Sequence, residues 1–195
     1  MNESTWQLPL LPDDAPVKKI KDWLTSIDEK TETSPEMIKK ILYYMRTYKL
    51  NDDIQKYGCA ALRTFAPNAE KIIAKEGGIN LILLAMKEHE SNADVQKNGC
   101  NALSYLALNN SGNQETIAKE GGIKVILDAM KKHQKNGELQ KYGCCALRWL
   151  ALNGDDNKKK IKKEGGVNVI LDAMKEHESI GDLQYYGKDI LRKIQ

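Results

Sequence analysis

A repeat step of 44 residues dominates this sequence and constrains its fold more than any other feature. The pair Gly77-Gly78 returns as Gly121-Gly122 and Gly165-Gly166, His89 as His133 and His177, and Met86 as Met130 and Met174. The strings YGCAAL, NGCNAL and YGCCAL align Gly58, Gly99 and Gly143, and Gly187 continues the series. The first step in that series is 41 residues, because Ala66-Pro67-Asn68 makes a shorter connection than Leu108-Asn109-Asn110-Ser111-Gly112. Self-similarity at such a period marks stacked supersecondary units, each burying its apolar face on the next.

Each unit divides into three helical pieces. A short one runs from Gln114 to Glu120 and ends at the Gly pair, whose backbone freedom permits a sharp turn. A second carries Ile123, Ile126, Leu127 and Met130 at the spacing of one buried helical stripe. Its counterparts are Ile79, Ile82, Leu83, Met86 and Val167, Ile170, Leu171, Met174, and near the N-terminus Ile38, Ile41, Leu42, Met45. A third spans Glu138 to about Leu152 and buries Leu139, Gly143, Ala146, Leu147 and Leu150. Asp53, Asp94, Glu138 and Asp182 stand at the starts of these third helices, where acidic groups favour the helix dipole. Gly58, Gly99, Gly143 and Gly187, inside them, are expected to admit a neighbouring helix closely.

Two or three helices per period of about 40–47 residues is the range of HEAT and armadillo repeats. The pattern L-Q-x-x-G-C-x-A-L-x-x-L-A-L-N followed by I-x-K-E-G-G-[IV]-x-[VL]-I-L-x-A-M resembles the armadillo repeat across residues 34–195. The short first helix and the Gly-Gly turn favour armadillo over HEAT. The resemblance implies an all-α, right-handed armadillo-type α-solenoid of about four repeats with an N-terminal capping helix. Residues 1–16 read as an extended tail, 17–33 as the capping helix and a linker, and 34–195 as the array. Val17, Ile20, Trp23, Leu24 and Ile27 form the amphipathic face of the cap. Lys188 and Asp189, replacing the Cys144-Cys145 pair, suggest a polar outer face at the other end, and with it a complete small array rather than a fragment.

Bulk properties narrow the function. Thirty basic and 27 acidic residues leave a net charge of +3, too mild for a nucleic-acid binder by charge alone. The longest apolar run, Leu81 to Met86, is far too short for a bilayer span. Four cysteines without an export signal suggest a reducing, cytoplasmic setting, with import into an organelle as the alternative.

The repeat lattice also argues against chemistry. His89, His133 and His177 occupy equivalent positions, roughly 8–10 Å apart if successive helices pack normally, which is beyond a shared metal. Their expected role is at helix C-termini, where a cationic ring suits the dipole. Cys59, Cys100 and Cys144 are likewise equivalent, too far apart for disulfides, and read as core packing residues. Cys145 faces the other way, which leaves a reactive thiol as its minor reading. No phosphate loop, nucleophile triad or carboxylate pair emerges, so the chain is expected to be non-enzymatic and without cofactor or metal.

The third helices line the concave groove of an armadillo array, as the resemblance implies, and the helical wheel singles out the same face. It carries four ladders: Lys56, Lys97, Lys141, Tyr185; Ala60, Asn101, Cys145, Asp189; Arg63, Ser104, Arg148, Arg192; and Thr64, Tyr105, Trp149, Lys193. In the importin-α subfamily a Trp and an Asn four residues later recur on this helix and hold a basic peptide. Here the Trp positions are Ala60, Asn101, Cys145 and Asp189, and the Asn positions Thr64, Tyr105, Trp149 and Lys193. The groove thus resembles the basic groove of β-catenin more closely. That reading makes an extended acidic or phosphorylated protein segment the expected partner. Arg63, Arg148 and Arg192 would take its anionic groups, and Tyr105 and Trp149 would serve as aromatic platforms. The alternative is a structural subunit, fixed in a larger assembly through its flat sides and its Pro-rich tail, whose anchors Trp6, Leu8, Leu10 and Leu11 would either fold back onto the array or reach into a neighbouring subunit.

Overall fold

The computed structural model describes residues 9–152 and 154–194, in which eleven helices follow one another. They are α1 (Val17–Thr25), α2 (Pro35–Thr47), α3 (Asp52–Lys75), α4 (Gly78–Glu88), α5 (Ala93–Ala107), α6 (Ser111–Lys119), α7 (Gly122–Lys132), α8 (Gly137–Leu152), α9 (Gly154–Lys163), α10 (Gly166–Glu176) and α11 (Gly181–Ile194). The sets α6–α7–α8 and α9–α10–α11 are full three-helix rungs. In the rung before them the short helix is fused to the end of α3, with Pro67 inside and a kink at Ala69, where φ reaches −143°. The shorter connection leaves no room for a loop, so the chain bends at Ala69, just past the proline, instead of breaking.

Each short helix turns into the next through a left-handed glycine. Gly77, Gly121 and Gly165 have φ of 81°, 83° and 80°, which a side chain would strain. The second and third helices of a rung then meet at a glycine–methionine contact. A Cβ added to Gly143 would sit 2.6 Å from Met130 Sδ, and one at Gly99 would sit 2.5 Å from Met86 Cγ. Close approach is thus what these mid-helix glycines supply.

Polar residues on the same seam terminate the second helices. Gln140 Nε2 donates to the carbonyls of Met130 and His133, at 2.9 and 3.0 Å, and so caps the end of α7. Gln55, Gln96 and Gln184 repeat this clamp on α2, α4 and α10. A helix leaves its last carbonyls unpaired, and a buried donor from the neighbouring helix supplies their partner. Asn51, Asn92 and Asn136 cap the starts of α3, α5 and α8 by accepting backbone N–H groups.

The expected stripes are buried in the inner rungs: Ile79, Ile82, Leu83, Met86 on α4 and Ile123, Ile126, Leu127, Met130 on α7. The last rung departs from the pattern. Leu171, in register with the fully buried Leu83 and Leu127, is 48% exposed, and Val167 and Met174 are half-buried. A second helix covers this position only when another rung packs over it, and no described residue does so on α10. Asp189 is also not part of a polar outer face. It is 8% exposed and enclosed between α8 and α11, while Lys188 is exposed.

At the other end α1 buries Ile20, Trp23 and Leu24. Residues 9–15 fold back over it: Trp23 Nε1–H donates to the Pro9 carbonyl at 2.9 Å, and the Tyr44 hydroxyl to the Pro12 carbonyl at 2.6 Å. Ala15 is buried, Leu11 half-buried and Leu10 exposed. Trp6 and Leu8, expected as anchors, lie outside the described residues.

Candidate partner-binding groove

The helices α3, α5, α8 and α11 pack side by side in sequence order. Their buried faces hold Leu62, Leu103, Leu147 and Ile190, which turns the remaining positions outward along one face. Six of the expected site residues meet there. Asn101, Tyr105, Lys141, Cys145, Arg148 and Trp149 line a cavity of about 390 Å³ between α5, α8 and α11. Ser104, Leu108, Tyr142, Asp182 and Tyr186 complete its wall. Lys56, Arg63, Lys97, Arg192 and Lys193 lie on the same helices but outside this cavity.

Charge on this face is less open than the expected basic groove. Lys56 Nζ lies 3.3 Å from Asp94, and Lys97 lies 3.4 Å from Asp94 and 3.5 Å from Glu138. The first-turn acids of α5 and α8 therefore reach back to the lysine of the preceding rung. Burial alone would raise the Asp94 carboxyl, but Lys56 and Lys97 outweigh it and hold the group below the usual carboxylate range. At the last rung a single carboxylate takes three cations. Asp189 accepts from Arg148 Nε at 2.7 Å, Arg192 at 2.8 Å and Lys193 at 3.0 Å. Burial again pushes this carboxyl up, and the hydrogen bonds from Lys193, Arg148 and Arg192 more than offset the push. Of the seven cations expected to meet a partner, five are thus engaged by the chain's own carboxylates. Arg63 and Lys141 have no carboxylate partner among the described residues, and each lies instead over an aromatic ring, Tyr105 at 5.8 Å and Tyr142 at 4.7 Å.

A family model described as the LRRK2 ARM repeat matches residues 24–185. The chain belongs to the armadillo repeat family. No curated protein matches the sequence. Among solved structures, a designed armadillo repeat protein superposes with a TM-score of 0.72 at 18% identity, covering 94% of this chain and 79% of that one. An engineered protein from the Northeast Structural Genomics Consortium gives a TM-score of 0.69 at 20% identity, covering 89% of this chain. This armadillo chain spans 66% of that protein's length. At such identities the structural likeness establishes the fold alone.

Within the armadillo array the histidines do more than sit at helix ends. His133 Nε2 lies 2.8 Å from the Glu90 carbonyl, and His177 Nε2 lies 2.7 Å from the Gln134 carbonyl. His89 meets the Lys49 carbonyl at 2.7 Å, with the Asp52 carboxylate on its other nitrogen. Each ring ties its helix to the loop of the preceding rung. The cysteines are thiols: burial pushes Cys59 and Cys100 up to about 12 and raises Cys144 further. Cys145 is also raised by burial, against hydrogen bonds from Ser104, Tyr186 and Trp149 and the Arg148 charge. A shift in this direction works against the thiolate, the reactive form of the side chain.

Residues missed at the sequence level include Asp182 and Tyr186, which wall the cavity, and Asp94 and Glu138, which neutralise groove lysines. The signal for the last two was available. An acid at each third-helix start lies about one repeat after each groove lysine, close enough to reach it across one helix-packing distance.

Proposed function

We propose that this chain is a non-enzymatic interaction scaffold whose concave face holds an extended segment of a partner protein. The observation that carries this reading is the cavity between α5, α8 and α11, where half-buried Trp149 and Arg148 and exposed Tyr105 converge with Lys141. Aromatic and arginine side chains in a concave, partly desolvated setting are the residues that dominate binding energies. Acidic or phosphorylated residues of the segment meet Arg63, which with Lys141 is one of the two groove cations without a carboxylate of its own. Such a partner binds with a shallow salt dependence, because few charges are exchanged.

One observation favours a second reading, a subunit of a larger assembly. Leu171, Val167 and Met174 leave an apolar strip partly open on α10, away from the groove. Co-purification of partners with three forms of the chain separates the two. Loss of a partner with Arg63→Ala/Trp149→Ala, and its retention with Leu171→Ser, supports the groove. The reverse pattern supports the assembly reading and rejects the groove.

A further inference from the structure

The cavity sits where a regular feature of the groove stops. Lys56 pairs with Asp94 and Lys97 with Glu138, each lysine bridging to the first-turn acid of the next rung. Lys141 and Asp182 are the next pair in this register, yet no ion pair joins them, and neither has another ionic partner among the described residues. The cavity wall therefore keeps one cation and one anion available on different helices, α8 and α11. Its walls are aromatic, with Tyr105 on α5, Trp149 on α8 and Tyr186 on α11, and Cys145 contributes only a small side chain. Asn101 adds a polar anomaly: its Oδ1 is buried without a hydrogen-bond partner. A buried acceptor left unpaired is costly, and such groups in native structures call for a partner.

We infer that this cavity takes one aromatic side chain bearing a ring-edge donor, a tryptophan or a tyrosine, from the bound segment; the inference rests on the groove reading above. Aromatic rings prefer offset or edge-to-face contact with other rings, which Tyr105 and Trp149 supply. The indole N–H or phenol O–H satisfies Asn101 once the amide turns about its soft terminal torsion. The flanking peptide group completes the fit: its carbonyl accepts from the Lys141 ammonium, and a backbone N–H donates to the Asp182 carboxylate. An extended backbone presents those two groups in alternation, so the split pair reads main chain on either side of the anchor. Arg148 is held by Asp189 and stacked on Trp149 at 4.8 Å, so one wall is ordered before any ligand arrives. An aliphatic side chain fills the space but leaves Asn101 unpaired. An acidic one confronts Asp182, and Arg148 is already occupied.

The test is a titration of the full chain, nitrogen-15-labelled, with N-acetyl-tryptophanamide, N-acetyl-tyrosinamide and N-acetyl-leucinamide. The expected result is saturable shifts centred on Asn101, Tyr105, Cys145 and Trp149, with at least one aromatic amide binding about 5-fold or more tighter than the leucine amide. Cys145→Phe, which fills the cavity from within, removes those shifts. Asn101→Ala, placed at the wall and less demanding of the fold, reduces the aromatic preference to the leucine level. Equal binding of the leucine amide, shifts centred elsewhere, or shifts that persist in Cys145→Phe overturn the inference. If a partner that depends on Arg63 and Trp149 is retained by a folded Cys145→Phe variant, the anchor is wrong and the groove reading stands.

Discussion

Along its buried seam this molecule repeats itself almost atom for atom; along its groove it does not. Gln55, Gln96, Gln140 and Gln184 each clamp the end of their own second helix, and Gly58, Gly99, Gly143 and Gly187 each accept a methionine. On the groove face the equivalent ladder reads Ala60, Asn101, Cys145, Asp189. One position is nearly empty, the next carries an amide whose buried oxygen is unpaired, the third lines a cavity, and the last is a buried acid holding three cations. The seam does the same mechanical task in every rung, so one solution serves all four. Under the proposed function the groove meets a partner whose residues differ along its length, and each rung presenting different chemistry fits that reading.

The contrast can be broken most forcefully at the seam. Gly143→Leu forces a side chain into the space of Met130 and is expected to cost about 3 kcal/mol, as overpacking of a tight core does. Urea unfolding measures it, and Gly99→Leu should cost a similar amount because the contact is the same. Gln140→Met keeps the length but removes the donor, leaving the Met130 and His133 carbonyls without a partner. The expected loss is about 2 kcal/mol.

Groove substitutions should be milder and should differ by rung. Asp189→Asn weakens the hold on Arg148, Arg192 and Lys193; Arg192 is largely exposed, so the loss is expected near 1–2 kcal/mol, below that of a fully buried pair. The same residue gives a pH signature. Its carboxyl lies below its unfolded value, so its contribution is present above about pH 4 and fades as pH falls through the folded value. Thermal melts across pH 2–6 should lose part of their acid sensitivity in Asp189→Asn. Smallest of all is Lys97→Met. It removes exposed ion pairs to Asp94 and Glu138 and should shift stability by no more than about 0.5 kcal/mol. A loss as large as that of Gln140→Met would erase the distinction between seam and groove.

The two regions were also unequally legible from sequence. The period and the buried stripes exposed the seam because its residues recur, and the role of the mid-helix glycines followed from where they stand. The glutamine clamp was visible as a letter in the repeated string but not as a function. Its acceptors are helix-end carbonyls ten residues earlier, which become neighbours only when two helices fold together. The helical wheel placed the groove residues on one face but left them as free cations. The carboxylates of Lys56 and Lys97 lie 38 and 41 residues away, on the next rung. Leu171 marks a limit of pattern reading: its periodicity matches Leu83 and Leu127, while its burial depends on a neighbour that the pattern does not contain.

The most direct test of the groove account is selection of 12-residue peptides from a random display library on the wild-type chain. The recovered peptides are then titrated against Arg63→Ala/Trp149→Ala and against Leu171→Ser. The expected result is a loss of at least about 10-fold in affinity with the groove variant, at unchanged melting temperature, and no loss with Leu171→Ser. Peptides that bind the groove variant as well as wild type, and fail on Leu171→Ser, would contradict it.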